Sequence, residues 1–295
     1  MKTILFVGAG LTTATIVAKL QSYKNKFKCI CIDVRDHIGG NCYDYKSNGT
    51  YISKYGPHLW HSSNENENKF IKQFSDFTNY EHYVLAELSE NLAVPFPYSN
   101  ETEIKLGRKL SDDEIINMFF KPYSYKMWGI EWDNLPNSIK GRVPKNSKKT
   151  SRYFPDQFCG IPKNGYTEMF YNMFGTAEII LGANPNDWQN IKSDIIIYSG
   201  RLDRIVDKKT NMMLGEMYGK WLKFRNIKFN LIEETWINEA AVVNFCHLNT
   251  KYTRKTCYKK IFGGESNLVG YECPNDSSVC DINPFYPIQI GRAHV

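Results

Sequence analysis

Two spacings of apolar residues follow each other in the first seventy positions. Residues 3–7 (TILFV) form a short unbroken apolar run, the pattern of a strand buried on both faces of a parallel sheet. Gly8-Ala9-Gly10 interrupts it, and over 11–22 the apolar positions Ile16, Val17 and Leu20 fall at helical spacing. Residues 28–34 return to a strand-like run with Asp33 near its end. Strand, glycine turn, helix and strand in this order predict a β-α-β unit. Further on, 85–140 reads as an inserted, mostly helical region. Ser111 followed by Asp112, Asp113 and Glu114 makes a helix start with a capping residue and early carboxylates, which Ile115, Ile116 and Phe119 continue. Residues 141–160 and 211–272 are rich in strand-like segments and predict an antiparallel sheet. A helix over 165–174 and a strand over 194–198 are expected to return to the first unit.

The glycines carry the first chemistry. They let the backbone approach a pyrophosphate, which then sits on the helix N-terminus, and a carboxylate placed like Asp33 can hold a ribose hydroxyl. The third glycine of G-x-G-x-x-G is absent. Thr13 stands there, and its β-branch is expected to loosen the helix–strand contact or shift the helix. Alone, the motif fits an α/β turn without nucleotide. Arg35-Asp36-His37-Ile38-Gly39-Gly40-Asn41 follows at once, and its two glycines form a second close-approach loop at the same strand end. Such a loop suits a long dinucleotide such as FAD better than NAD. Tyr55-Gly56-Pro57-His58-Leu59-Trp60-His61 sets two imidazoles three residues apart; taken alone, these are surface or packing residues.

Composition narrows the class without choosing the chemistry. The 295 residues suffice for one large or two modest domains, and 42% hydrophobic with 23% charged residues is an ordinary globular balance. The 19 Tyr and 17 Phe can stack on a planar ligand, although core packing is their default role. A net charge of +6 fits a small anionic substrate or a solvated surface, and calls for no nucleic acid. None of the eight cysteines forms a C-x-x-C pair, so free thiols, no metal and a cytoplasmic location are expected, and the sequons at Asn48, Asn100 and Asn275 are chance matches. The apolar start imitates a signal peptide, but two glycines interrupt it and a second strand follows. No run approaches the ~20 apolar residues of a membrane span. There is no internal repeat.

From residue 3 to about 288 the chain resembles the UDP-galactopyranose mutase family, on motifs in the family's order. They are GAGL (8–11), DVRDHIGGNCYDY (33–45), KYGPHLWHS (54–62), VPFP (94–97), YSYKMWG (123–129), RVP (142–144), RYF (152–154), GIPKNGYTEMF (160–170), YSGRLD (198–203), LKFRNIKF (222–229), VVNF (242–245) and YTR (252–254). The resemblance implies an isomerase that interconverts UDP-galactopyranose and UDP-galactofuranose by covalent catalysis through N5 of reduced FAD, without net redox. A leaving diphosphate needs cations, and guanidinium forks suit it because they engage two oxygens and stay charged. Arg142 and Arg254 match the family's two diphosphate arginines, and with His58 they make up the implied catalytic set. Tyr123, with Ser124 beside it, matches the uracil contact, Trp128 the wall of the sugar pocket, and Tyr153 a phosphate contact. Asn244 and Tyr286 match further substrate contacts. Gly8, Gly10, Leu11, Asp33, Arg35, Gly39, Gly40, Asn41, His58 and Leu59 match the flavin site. The flavin's reductant is left unidentified, and the oligomeric state is left open, a homodimer included.

The implied fold class is α/β (α+β): a Rossmann-like FAD-binding domain at 1–84 and 161–210, a helical insert at 85–140, shorter than in bacterial members, and an antiparallel substrate domain at 141–160 and 211–289. Besides Thr13, Cys257 stands where the family has Glu, which is expected to weaken support of Arg254, and Arg201 replaces a turn proline, altering a loop. The family continues past Pro287 with a flavin-closing segment, and 290–295 (IGRAHV) reads as a non-native tail resembling a translated sequencing adapter. A chain shortened in this way is expected to bind FAD poorly and be inactive. The competing readings are an amine-oxidase-like flavin oxidoreductase, which does not explain Arg142, Tyr153 and Arg254, and a non-catalytic remnant. An NAD-dependent epimerase needs Tyr-x-x-x-Lys, which does not occur.

Overall fold

The computed structural model describes residues 1–23, 25–141, 150–207, 209–219, 224–276 and 286–287, with the backbone alone at 138, 139, 224, 225, 275, 276, 286 and 287. Arg142, Cys280 and 290–295 lie outside the described residues, as does the side chain of Tyr286. The chain divides into two compact units. The first comprises Met1–Ser47, Tyr51–Asn79 and Gly160–Trp221, the second Asn48–Thr50, Tyr80–Cys159 and Leu222–Val295.

The first unit is built on a four-stranded sheet in the order Glu178–Ile180, Phe27–Ile32, Lys2–Val7, Ile195–Tyr198, parallel throughout. Alternation of side chains explains the unbroken apolar run at its centre. Ile4 and Phe6 enter one core, where Ala14 and Val17 of helix Leu11–Leu20 meet Met169, Phe170 and Met173 of helix Gly165–Phe174. Leu5 enters a second core on the other face with Trp188. Both faces are covered over Ile4–Phe6, so the strand is apolar there without alternation.

Asp44 fastens the returning helix. Its carboxylate is 2% exposed and accepts from the Tyr166 N–H at 2.7 Å and the Thr167 N–H at 2.9 Å. These are donors that a helix start otherwise leaves unpaired. Asp44→Ala orphans both in the interior, at an expected cost of about 2–4 kcal/mol. Asp44→Asn, with one carbonyl oxygen left, should cost less. Urea unfolding checks this: the alanine variant's midpoint should fall with the slope unchanged, and an unshifted midpoint would count against the role. At Arg201 the loop gains a buried pair, since the guanidinium forks the Asp203 carboxylate at 3.0 and 2.6 Å.

The second unit is a seven-stranded sheet in the order Tyr286–Pro287, Phe224–Glu233, Leu268–Asp276, Arg254–Cys257, Val242–Phe245, Val84–Ser89, Leu92–Phe96. It is mixed rather than antiparallel, because Val242–Phe245 runs parallel to Val84–Ser89. Residues 85–96, expected to open a helical insert at 85–140, lie instead in a hairpin of this sheet. Leu and Ala there carry good helix propensity, but pairing on a buried strand overrides it, and Pro95 is tolerated because its strand is at the edge. The insert is thus no separate body. Of the expected strands at 141–160, 142–149 lie outside the described residues, and Phe158–Pro162 pairs with Phe77–Asn79 instead of joining the large sheet. Residues 211–219, expected with the substrate sheet, pack in the first unit, where the Leu214 N–H donates to the Ile205 carbonyl.

Ser111 caps its helix with a reciprocal Glu114 contact, as the sequence suggests. The helix then meets Pro122, which has no N–H to return to residue 118. The backbone widens by one residue over Ile116–Phe120, with the Lys121 N–H bonded to the Ile116 carbonyl, and resumes as Lys121–Trp128. This last stretch carries Tyr123, Ser124 and Trp128.

Candidate functional site

In the first unit the two glycine loops lie back to back. The Gly39 N–H donates to the Ala9 carbonyl at 2.8 Å, and a Cβ built on Gly40 would sit 3.2 Å from the Gly10 Cα. Gly40 also has φ +58°, which L side chains rarely adopt. Asp33 braces the same turn: one carboxylate oxygen accepts from the Ala9 N–H at 2.7 Å, the other from the Arg35 N–H at 2.9 Å. The sequence assigns Asp33 to a ribose; its structural partners are these backbone donors, and its oxygens retain lone pairs for a hydroxyl. Thr13 tightens the turn instead of loosening it. It is 1% exposed, and its hydroxyl donates to the Gly8 carbonyl at 2.6 Å.

Helix Leu11–Leu20 begins at Gly10 with no side-chain cap and no acidic residue in its first turn. Its end therefore offers N–H donors and positive potential to an anion. Leu11 is 41% exposed at that end, an apolar surface beside the turn. Arg35 donates to the Asn41 Oδ1 at 3.0 Å and lies 4.6 Å over the Tyr55 ring, which fixes both ends of the second loop. His37 is buried and stacks on Tyr43; its Nδ1 donates to the Ile38 carbonyl and its Nε2 accepts from Tyr55, so burial pushes its pKa down and the ring stays neutral. The His58 Nδ1 donates to the Gly56 carbonyl at 3.0 Å. Leu59 is half-buried beside it.

In the second unit a row of side chains crosses three strands. Asn244 pairs in register with Arg254, and Arg254 with Glu272. Facing residues in register share one face of a sheet. Arg254 donates from Nε to the Asn244 Oδ1 at 3.0 Å and from Nη2 to the Tyr123 hydroxyl at 3.3 Å, and its Nη1 is 3.6 Å from the Glu272 Oε1. The Arg254 side chain is 28% exposed, so the guanidinium is oriented from behind and still reaches the surface. Burial pushes the Glu272 carboxyl up, and the Arg254 charge opposes that shift. The sequence missed Glu272. Cys257, expected to weaken the support of Arg254, is buried, and the carboxylate at Arg254 comes from the next strand. Only the register of Arg254–Cys257 against Leu268–Asp276 reveals it.

Ser124 is buried one residue from Tyr123, and Trp128 packs inward in the same unit. Tyr153 is held in an aromatic cluster: its N–H donates to the His82 carbonyl, and its ring meets His82 edge-on at 5.3 Å and Phe96 at 6.2 Å. Phe96 in turn packs on Phe120, one turn before Tyr123.

The UDP-galactopyranose mutase family model matches residues 118–294, more than half of the chain, and an NAD(P)-binding Rossmann-like domain model matches 7–75. The UDP-galactopyranose mutase of Mycoplasma genitalium is 29% identical over 97% of this chain and 82% of its own length. The dTDP-fucopyranose mutase of Escherichia coli is 28% identical over 98% of this chain and 86% of its own. A crystal structure of reduced UDP-galactopyranose mutase superposes with a TM-score of 0.63 at 13% identity, covering 97% of this chain and 75% of that one, and shares the fold. By the match over residues 118–294, the chain belongs to the UDP-galactopyranose mutase family.

Proposed function

We propose that this protein is an isomerase that interconverts UDP-galactopyranose and UDP-galactofuranose with reduced FAD as its cofactor. The observation that carries the reading is Arg254, a guanidinium fixed by Asn244, Tyr123 and Glu272 yet open to the surface. Expulsion and return of UDP require a cation already in place where negative charge develops, and a preoriented guanidinium meets that need without reorganising. Arg142 is the second arginine of this reading. Tyr123 and Ser124 serve the uracil, Tyr153 a phosphate, Trp128 the sugar wall, and Asn244 and Tyr286 further contacts.

The first unit suits FAD on its own geometry. A Cβ on Gly40 would press on the Gly10 Cα at 3.2 Å, so the two loops approach backbone to backbone, as a cradle for a passing pyrophosphate requires. Gly8, Gly10 and Leu11 would take the pyrophosphate end, Asp33 the ribose, Arg35, Gly39, Gly40 and Asn41 the second loop, and His58 and Leu59 the isoalloxazine. Reduced FAD, when bound, supplies the nucleophile that lets the sugar ring open and reclose without net redox. The described cysteines are free thiols, which supports a cytoplasmic setting. No described helix is long and apolar enough to cross a membrane.

The test is to load the protein with FAD, reduce it and supply UDP-galactofuranose. UDP-galactopyranose should appear with no reductant consumed per turnover. An oxidised sugar product, or no conversion by FAD-loaded protein, would overturn the reading.

A further inference from the structure

Lys126 has no role in the site as described, yet its side chain ties helix Lys121–Trp128 to the sheet. It follows Tyr123 by three positions, one helical turn. Its ammonium donates to the Phe245 carbonyl at 2.8 Å and to the Tyr252 carbonyl at 2.7 Å. Phe245 directly follows Asn244, and Tyr252 comes two residues before Arg254. The two carbonyls lie on opposite limbs of the hairpin that presents the substrate row. The Phe245 N–H donates to the Thr253 carbonyl across the hairpin, and the Thr253 N–H to the Glu272 carbonyl on the next strand, each at 2.9 Å. One cation thus ties the Tyr123 helix to both limbs of the Asn244–Arg254 hairpin.

We propose that Lys126 is a positioning residue for diphosphate recognition, locking the helix on the hairpin so that the Tyr123 hydroxyl stays against the Arg254 guanidinium. This rests on the reading of Arg254 as a UDP ligand. Holding a flexible four-carbon side chain in one geometry is entropically unfavourable, and charge-assisted bonds to two carbonyls offset it. Burial lowers the Lys126 pKa to about 8, so the ammonium is still protonated at neutral pH. The Tyr123–Arg254 contact, at 3.3 Å, lies at the long end of the hydrogen-bond range. Without the lysine, the helix loses its charge-assisted tie to both limbs, and each UDP bound must first restore the alignment of Tyr123 with Arg254.

UDP affinity is measured by calorimetry on FAD-loaded wild type, Lys126→Met, Lys126→Arg, Arg254→Ala, Tyr123→Phe and the Lys126→Met/Tyr123→Phe double variant, well below each melting temperature. Lys126→Met keeps length and packing but has no donors. It should weaken UDP roughly tenfold to hundredfold, with FAD affinity unchanged. Lys126→Arg should recover most of the loss. The double variant should bind UDP no more weakly than Lys126→Met alone, within about threefold, because both changes break one unit. That rescue and non-additivity separate positioning from a general loss of stability. If Lys126→Met binds UDP normally while Arg254→Ala does not, or if the two losses are additive, the positioning role is wrong and the Arg254 reading stands. If wild type does not bind UDP, or Arg254→Ala leaves binding intact, both fail. Should Lys126→Met not fold, Lys126→Gln takes its place in the same cycle with the same outcomes.

Discussion

Arg254→Ala is expected to lower kcat/KM for UDP-galactofuranose by roughly 10²–10³-fold, or ~3–4 kcal/mol of transition-state stabilisation. Two effects combine. The guanidinium fork that meets the departing diphosphate is lost, and the buried Glu272 carboxyl loses the one charge that opposes its desolvation. With Arg254 gone, Glu272 should take up a proton readily, which limits the damage to the fold. Activity should therefore fall much further than stability. Arg254→Lys keeps the charge but cannot reach Asn244, Tyr123 and the diphosphate together, so it should fall between wild type and alanine. Steady-state kinetics on reduced enzyme, with thermal melts alongside, check this series. A folded Arg254→Ala variant with wild-type kcat/KM would remove the Asn244–Arg254–Glu272 row from the site.

Gly40→Val should abolish flavin binding. At φ +58° a side chain is strained by about 1–2 kcal/mol. Its Cβ would also press on the Gly10 Cα at 3.2 Å, and the branched methyls would crowd the cradle proposed for the pyrophosphate. A combined loss of about 3–4 kcal/mol raises the FAD dissociation constant by roughly a hundredfold or more. Gly107→Val supplies the control. Gly107 has φ +71° with nothing within 4 Å of its virtual Cβ, so it bears the strain without touching the cradle. Quenching of flavin fluorescence during titration should show binding lost in the first variant and kept in the second. Equal FAD affinity in both would mean that the two glycine loops do not enclose the cofactor.

These residues differ in how far the sequence reveals them. The strand at 2–7, the glycine turn and the returning helix at 165–174 are legible because local spacing and burial agree: the strand centre, covered on both faces, is apolar without alternation. The second glycine loop is legible because Gly39 and Gly40 both take a positive φ that L side chains rarely adopt. The hairpin at 84–96 is not, since Leu85, Ala86 and Leu88 suit a helix until a partner strand exists. Glu272 and Lys126 are hidden for a related reason. An acid in a strand and a lysine on a helix read as solvated surface, and only register and the fold of the hairpin bring them to Arg254 and to the carbonyls of Phe245 and Tyr252. Thr13 misleads because rules for the glycine position consider size, whereas its hydroxyl bonds the Gly8 carbonyl.

The central claim is that the bond between the sugar and its diphosphate breaks while Arg254 keeps UDP in place for return. UDP-galactopyranose carrying a heavy-oxygen label in the bridge between sugar and phosphate tests it most directly. With FAD-loaded, reduced protein the label should scramble into the non-bridging oxygens of that phosphate, and Arg254→Ala should suppress the scrambling along with turnover. Ring interconversion with the label still in the bridge would contradict the account.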